Sequence, residues 1–275
     1  MDNNNIKQED GKMENRIAKY IDNVNFKKLM TEDGTPINDR RAVVDLDTGN
    51  VLGVVSPRYK IVRNSELLKA VQPAIEDLRL NTDPIISHAR DGAITYFKFL
   101  GEKHQGEVRK GDIVRFGLEF FNSYDGSTPV GFHIIAERLV CINGLVVPKS
   151  IRELHVRHSA GASVEGFRDN LVEFFPQVKS VVELWKKWND VQPSKLQLEE
   201  TMDGLFSDKH QKTFLERFES SSNQDRNLWG FYNILTHYTT HTMKTRNKDN
   251  KALKQFDIGE RMVNRINQVF ESKLV

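Results

Sequence analysis

The chain has a single cysteine, Cys141, in 275 residues. A lone thiol excludes an intrachain disulfide framework and a multi-cysteine zinc site, and it fits a reducing compartment. Long apolar runs are missing as well. No stretch approaches the roughly 20 apolar residues of a membrane-spanning helix, and the opening Met1-Asp2-Asn3-Asn4-Asn5 has no apolar segment of signal-peptide length. A soluble, cytoplasmic protein without a membrane partner is expected. Neither sign of charge dominates: 40 Lys plus Arg face 38 Asp plus Glu, for a formal charge of +2. Global charge therefore gives no argument for nucleic-acid binding, and the distribution of cations must carry any such argument. Repeats, heptads and low-complexity tracts are absent too. With 28% charged and 38% apolar residues, the composition is that of an ordinary globular protein.

Catalytic devices are equally scarce. Gly101, Gly106 and Gly111 lie in a polar stretch without the spacing, or the following Lys-Ser/Thr, of a phosphate loop. No nucleotide cofactor is expected. His237 and His241 stand four residues apart, a spacing that can ligate a metal on a helix, but Tyr238 occupies the place where a zinc protease carries glutamate. An ordinary helix face is the default reading, and His155 and His158 are similarly ambiguous. Cys141, between Val140 and Ile142, reads as a buried strand residue rather than a nucleophile. The scattered carboxylates Asp45, Asp47, Glu119 and Glu137 could meet around a metal, with a solvated sheet face as the default. No catalytic residue and no metal site are assigned, so a hydrolase or nuclease is the least supported class.

Periodicity gives the organisation. Residues 1–40 are polar and Asn-rich, and the weakly amphipathic stretch from Ile17 to Leu29 predicts a mobile tail leading into a short helix. From Arg41 a hairpin is expected around Asp47-Thr48-Gly49-Asn50, then a short extended run from Tyr59 to Val62. A helix capped by Asn64 or Ser65 and running to Leu78 follows, kinked or split at Pro73. Strands are predicted over Ala93–Leu100, Ile113–Asn122 and Val130–Ile142, the last with a bulge near Ala136, and a polar loop over Glu102–Asp112. Beyond Ile151 the period is helical: Val164–Trp188, Pro193–Phe206, Lys209–Phe218, Asn227–Met243 and Gly259–Val275. The expected fold is α+β, an antiparallel β-sheet of plan β-hairpin-β-α-β-β-β followed by an all-helical C-terminal half. Three segments are expected: the tail and short helix at 1–40, the sheet domain at 41–160, and a helical region at 161–275, packed on or beside the sheet.

Three short stretches carry a family likeness. They are Ser56-Pro57-Arg58-Tyr59-Lys60-Ile61-Val62-Arg63-Asn64-Ser65-Glu66, then Glu137-Arg138-Leu139-Val140-Cys141-Ile142-Asn143-Gly144-Leu145, and Asn227-Leu228-Trp229-Gly230-Phe231-Tyr232-Asn233-Ile234-Leu235-Thr236-His237-Tyr238. In that order the chain resembles the phage/plasmid-like proteins that carry the domain of unknown function nine-three-two. The resemblance runs from about Arg41 to about His241 and implies a mobile-element origin, phage or plasmid, in a bacterial host. At the level of the fold, the plan also resembles single-strand annealing proteins of the RecT/Redβ type. Those proteins use no nucleotide cofactor and assemble into rings or filaments.

Cations cluster along the chain. Arg58, Lys60 and Arg63 flank Tyr59; Arg109, Lys110 and Arg115 precede and enter a Phe-rich strand; Lys149, Arg152, Arg157 and His158 follow the second stretch; Lys244, Arg246, Lys248, Lys251 and Lys254 follow the third. Single-stranded nucleic acid is held by positive grooves that track phosphate, with aromatic side chains stacking on bases. The expectation is therefore a single-stranded DNA-binding or annealing protein of recombination or replication, forming a homo-oligomer. Arg58, Lys60, Arg63, Arg115, Arg138, Lys149, Arg152 and Arg157 would hold phosphates, and Tyr59 or Tyr124 would stack on bases. The competing class is a phage accessory protein acting by protein–protein interaction, on a host, defence or phage protein partner or as a structural oligomer, for which the Tyr124 loop and the polar tail are natural contact elements.

Overall fold

The structure, a computed structural model, describes residues 20–141, 143–146, 153–159, 169, 171, 178–244 and 251–274. It is α+β. Strands β1 (Val24–Met30), β2 (Pro36–Asp45) and β3 (Val51–Val55) form an antiparallel sheet in that order. Helix α1 (Asn64–Asp77) leads to a second antiparallel sheet of β4 (Ile85–Ala89), β5 (Ile94–Arg109), β6 (Asp112–Ser123), β7 (Val130–Arg138), β8 (Asn143–Val146) and β9 (Glu153–Val156). The outer edge of β7 is shared: β8 pairs with its residues 135–138 and β9 with its residues 130–133. Helices α2 (Val178–Asp190), α3 (Lys195–Met202), α4 (Asp208–Glu219), α5 (Leu228–His237) and α6 (Lys251–Leu274) follow, with one π turn at Tyr238–Thr242.

The large sheet obeys the alternation read from its sequence. Val114, Phe116, Leu118 and Phe120 of β6 face inward beside Phe97, Phe99, Phe132, Ile134 and Ala136 of the neighbouring strands. One apolar core joins this face to Leu67, Val71 and Ile75 of α1, Val181, Trp185 and Trp188 of α2, Leu228, Trp229 and Tyr232 of α5 and Val263, Ile266 and Phe270 of α6. Phe116 stacks on Trp185 at 5.8 Å, and Trp185 lies 5.4 Å from Trp229. Sheet and helices thus bury a common surface. On the opposite face of the sheet, Arg115, Lys98 and Glu119 accompany Glu137.

Several expectations are corrected. From Val24 the segment read as a short helix to Leu29 is β1, because Asp33-Gly34, with Gly34 at φ +83°, turns the chain back onto β2. The run from Tyr59 to Val62 has no regular structure, and α1 is capped by Arg63 rather than Asn64 or Ser65. Pro73 sits inside an unbroken α1, where both it and Lys69, whose carbonyl loses its partner, face solvent. The polar stretch from Glu102 to Asp112 is not a loop but the continuation of β5 to Arg109, and the bulges lie in this strand rather than near Ala136 of β7. Gly106 explains the misreading: α2 lies so close over the strand that a β-carbon there would collide with the Val182 side chain. Gly106→Val will destabilise the fold by about 1–3 kcal/mol, measured by urea unfolding, since the helix must be displaced. A neutral substitution would mean that α2 is not held at this distance in solution.

Candidate nucleic-acid interface

The loop between β3 and α1 is pinned from beneath. Arg41 of β2 donates from Nη2 to the carbonyls of Pro57 at 2.6 Å and Tyr59 at 3.1 Å, while its guanidinium lies 3.8 Å over the Phe26 ring. The Tyr59 hydroxyl donates to Ser123 O at 2.6 Å, and its ring stacks on His158 at 4.8 Å. Tyr124 accepts from the Asn64 amide at 3.1 Å and donates to Ile21 O at 3.0 Å. Burial pushes both phenols up, with the charge of a nearby aspartate adding for each, Asp125 for Tyr59 and Asp22 for Tyr124. His158 closes the arrangement, donating from Nδ1 to Lys60 O at 3.2 Å while the Lys60 amide donates to His158 O at 3.3 Å. Burial lowers the His158 pKa, so the imidazole is neutral at physiological pH.

What this clamp presents to solvent is cationic. A shallow cavity of about 430 Å³ is lined by Asn25, Phe26, Arg41, residues 57–61 and Arg63, with Arg58, Lys60 and Arg63 exposed and no carboxylate in its wall. Arg63 is tied to the floor by Nη2 to Val24 O at 3.3 Å. Arg157, exposed and one residue before His158, is brought to the same loop by the Lys60–His158 hydrogen bonds. Three of the cations read from sequence, Arg58, Lys60 and Arg63, therefore line this cavity, and Arg157 is in the chain segment beside it. Arg41, Asn25 and Phe26 were missed because their strands lie in, or just after, the segment read as a tail; the Asp33-Gly34 turn was the signal that would have placed them.

The other expected contacts have different places. Tyr59 and Tyr124 are 7% and 1% exposed, so neither has a face on which a base can stack. Their rings belong to the cores that hold the loop. Arg138 chelates Asp112 through Nε at 2.6 Å and Nη2 at 2.7 Å, and Trp229 Nε1 donates to the same carboxylate at 2.9 Å. Arg115 donates to Glu137 at 3.0 Å, and Lys98 bonds the other Glu137 oxygen. Both arginines are thus matched by carboxylates and neither lines the groove. Lys149 and Arg152 lie outside the described residues, as do most of residues 164–177 of the first expected helix and Arg246 and Lys248 of the basic run. Cys141 is not a strand residue but sits partly buried in the β7–β8 turn, its sulfur 3.7 Å from Arg138 Nη1. Among the described residues no three His, Cys, Asp or Glu side chains gather as metal ligands, and His241 is used by Cys141 O and Asn143.

The Glu137 network gives a pH signature. Burial pushes this carboxyl up, but Lys98 and then Arg115 outweigh burial and hold it below the usual carboxylate range. The folded state binds that proton less tightly than the unfolded chain. Its stabilisation is therefore present above the unfolded value of about 4.3 and is lost as pH falls through the lower folded value. Glu137→Gln will cost about 1–2 kcal/mol near neutral pH in urea unfolding. The gap will close as the medium is taken to about pH 3; a gap undiminished in acid would assign the loss to packing instead.

Among the described residues, no helix is long and apolar enough to cross a membrane. No curated protein and no solved structure matches the chain. Residues 51–257 match the family described as Domain of unknown function (DUF932), a span that covers the β3–α1 loop, the whole large sheet and the helices through α5, and the chain belongs to that family.

Proposed function

We propose that the chain binds single-stranded nucleic acid along the groove between the small sheet and the β3–α1 loop, by neutralising phosphates and without a nucleotide cofactor. The observation that carries the reading is the wall of Arg41, Arg58, Lys60 and Arg63 with no carboxylate among the lining residues. In a protein whose total charge is near balance, such local segregation of cations attracts a polyanion. The burial of Tyr59 and Tyr124 refines the mode. Bases unclaimed by aromatic stacking remain free to pair, which is what strand annealing requires, so recombination or replication of a phage or plasmid is the setting we favour. Self-assembly would lay such grooves side by side, and β3 offers an edge for it: among the described residues it pairs only with β2 and exposes Val51 and Val54.

The test is fluorescence anisotropy of labelled single- and double-stranded oligonucleotides at rising salt, with particle size followed by light scattering. Salt-steep binding that prefers the single strand supports the reading. No binding at low salt sinks it and leaves a protein partner as the working alternative.

A further inference from the structure

The second and third of the family-like stretches, distant in sequence, meet at a different place. The π turn after α5 lets Thr240 accept from the Gly144 amide at 3.2 Å, and His241 Nε2 donate to Cys141 O at 3.1 Å and Asn143 Oδ1 at 3.2 Å. Asn143 in turn donates to Asn233 O at 3.2 Å. These bonds fasten the β7–β8 turn to α5 and leave beside them a cavity of about 420 Å³, walled also by α4 and the loop that follows it. Its volume is in the range of small-molecule sites.

The polar groups of this cavity are incompletely used. Asn233 is 6% exposed; its Nδ2 donates to Trp229 O at 2.8 Å, which fixes the amide orientation, and its Oδ1 has no partner. His237, one helical turn on, lines the same cavity with a buried Nδ1 that also lacks a partner. Burial, then Arg217 and His241, depress the His237 pKa and keep the ring neutral. Three arginines, Arg109, Arg138 and Arg217, line the cavity with one carboxylate, Asp225, while Asp112, which is not a lining residue, pairs with Arg109 and Arg138. Arg109 and Arg138 are matched by those carboxylates, whereas Arg217 makes no ion pair among the described residues, and Arg138 Nη1 meets only the Cys141 sulfur. Buried polar atoms in native proteins are ordinarily satisfied, and unsatisfied ones at a cavity wall mark a missing partner.

The geometry points to a binding site for a phosphate monoester that also carries N–H or O–H donors, the chemistry of a mononucleotide unit, either free or at the phosphorylated end of a strand. Its phosphate answers the unpaired charge of Arg217 and the open Nη1 of Arg138, and its donor answers Asn233 Oδ1. Arg217 supplies charge-assisted bonds and Asn233 the discrimination, because a ligand without the donor leaves the buried oxygen unsatisfied. The site does not rest on the basic groove, with which it shares no residue.

Isothermal titration of the full chain with deoxynucleoside 5′-monophosphates, with inorganic phosphate, and with short oligonucleotides bearing a 5′-phosphate or a 5′-hydroxyl tests it. Mononucleotides are expected to bind about tenfold or more tightly than phosphate alone, and the exposed substitution Arg217→Ala to weaken them about tenfold or more. Asn233→Ala is expected to weaken mononucleotides while leaving phosphate unchanged. Preference for the 5′-phosphorylated strand over the 5′-hydroxyl strand, with the same Arg217 dependence, would name a strand end as the source, and its absence the free nucleotide. No heat at millimolar ligand, equal affinity for phosphate and mononucleotide, or indifference to Arg217→Ala overturns the assignment. Failure of the groove reading would show instead as strand binding lost with the mononucleotide isotherm intact.

Discussion

Asp112→Ala will destabilise the protein by about 3–5 kcal/mol. The carboxylate is 4% exposed at the head of β6 and takes hydrogen bonds from Arg138 through two nitrogens and from the Trp229 indole, with Arg109 Nε at 3.4 Å. Removing it strands the Arg138 guanidinium, itself 14% exposed, together with an indole N–H in the core. Alanine supplies no acceptor and admits no compensating charge. Asp112→Asn keeps one acceptor oxygen and is expected to lose roughly half as much, since hydrogen bonds to charged groups are worth about twice neutral ones. Urea unfolding with an unchanged slope and a lowered midpoint is the expected readout. A loss under about 1 kcal/mol would mean that solvent reaches Arg138 in a way its burial does not allow.

The double substitution Arg58→Ala/Lys60→Ala will cut affinity for single-stranded DNA by about one decade or more at low salt. It will also flatten the plot of log affinity against log salt by about 1.4, because each lost phosphate contact removes about 0.7 from the slope on a single strand. Both side chains are exposed, so the melting temperature should hold. That combination separates lost phosphate contacts from lost fold. Arg41→Ala is a different experiment, since it removes the loop's two carbonyl anchors and the contact over Phe26. An unchanged salt slope in the double variant would place the phosphate path elsewhere on the molecule.

Legibility in the sequence followed the kind of signal each element carries. The β6 strand was plain because alternation of Val114, Phe116, Leu118 and Phe120 is a local pattern with a single physical reading. Helix α1 was plain from Leu67, Val71 and Ile75. β1 was obscured because its own polar residues Asn25, Lys27 and Lys28 leave no dominant period, and the decisive signal was a turn rather than a periodicity. The far end of β5 was hidden because Gly106 and its polar neighbours describe a loop until α2 is laid over them. At the candidate site, the cations of the β3–α1 loop were readable as a cluster, but burial was not: a tyrosine beside arginines looks like a stacking platform until its hydroxyl is found on Ser123 O. The same holds for Arg115 and Arg138, whose carboxylate partners lie 22 and 26 positions away and answer to strand register alone.

The bond from Trp229 to Asp112 also has a temporal side, because the two residues stand 117 positions apart. During synthesis the β5–β6 turn leaves the ribosome first, and its carboxylate is claimed early by Arg138, only 26 positions on. The indole that completes the set arrives with α5, after the whole large sheet has been made. Closing so long a loop is slow and must be rewarded by contacts that already exist. A nascent chain halted before α5 would therefore hold a paired turn and a sheet face covered by α1 and α2 but lacking the α5 and α6 part of its roof, a form suited to capture by chaperones until the last helices dock.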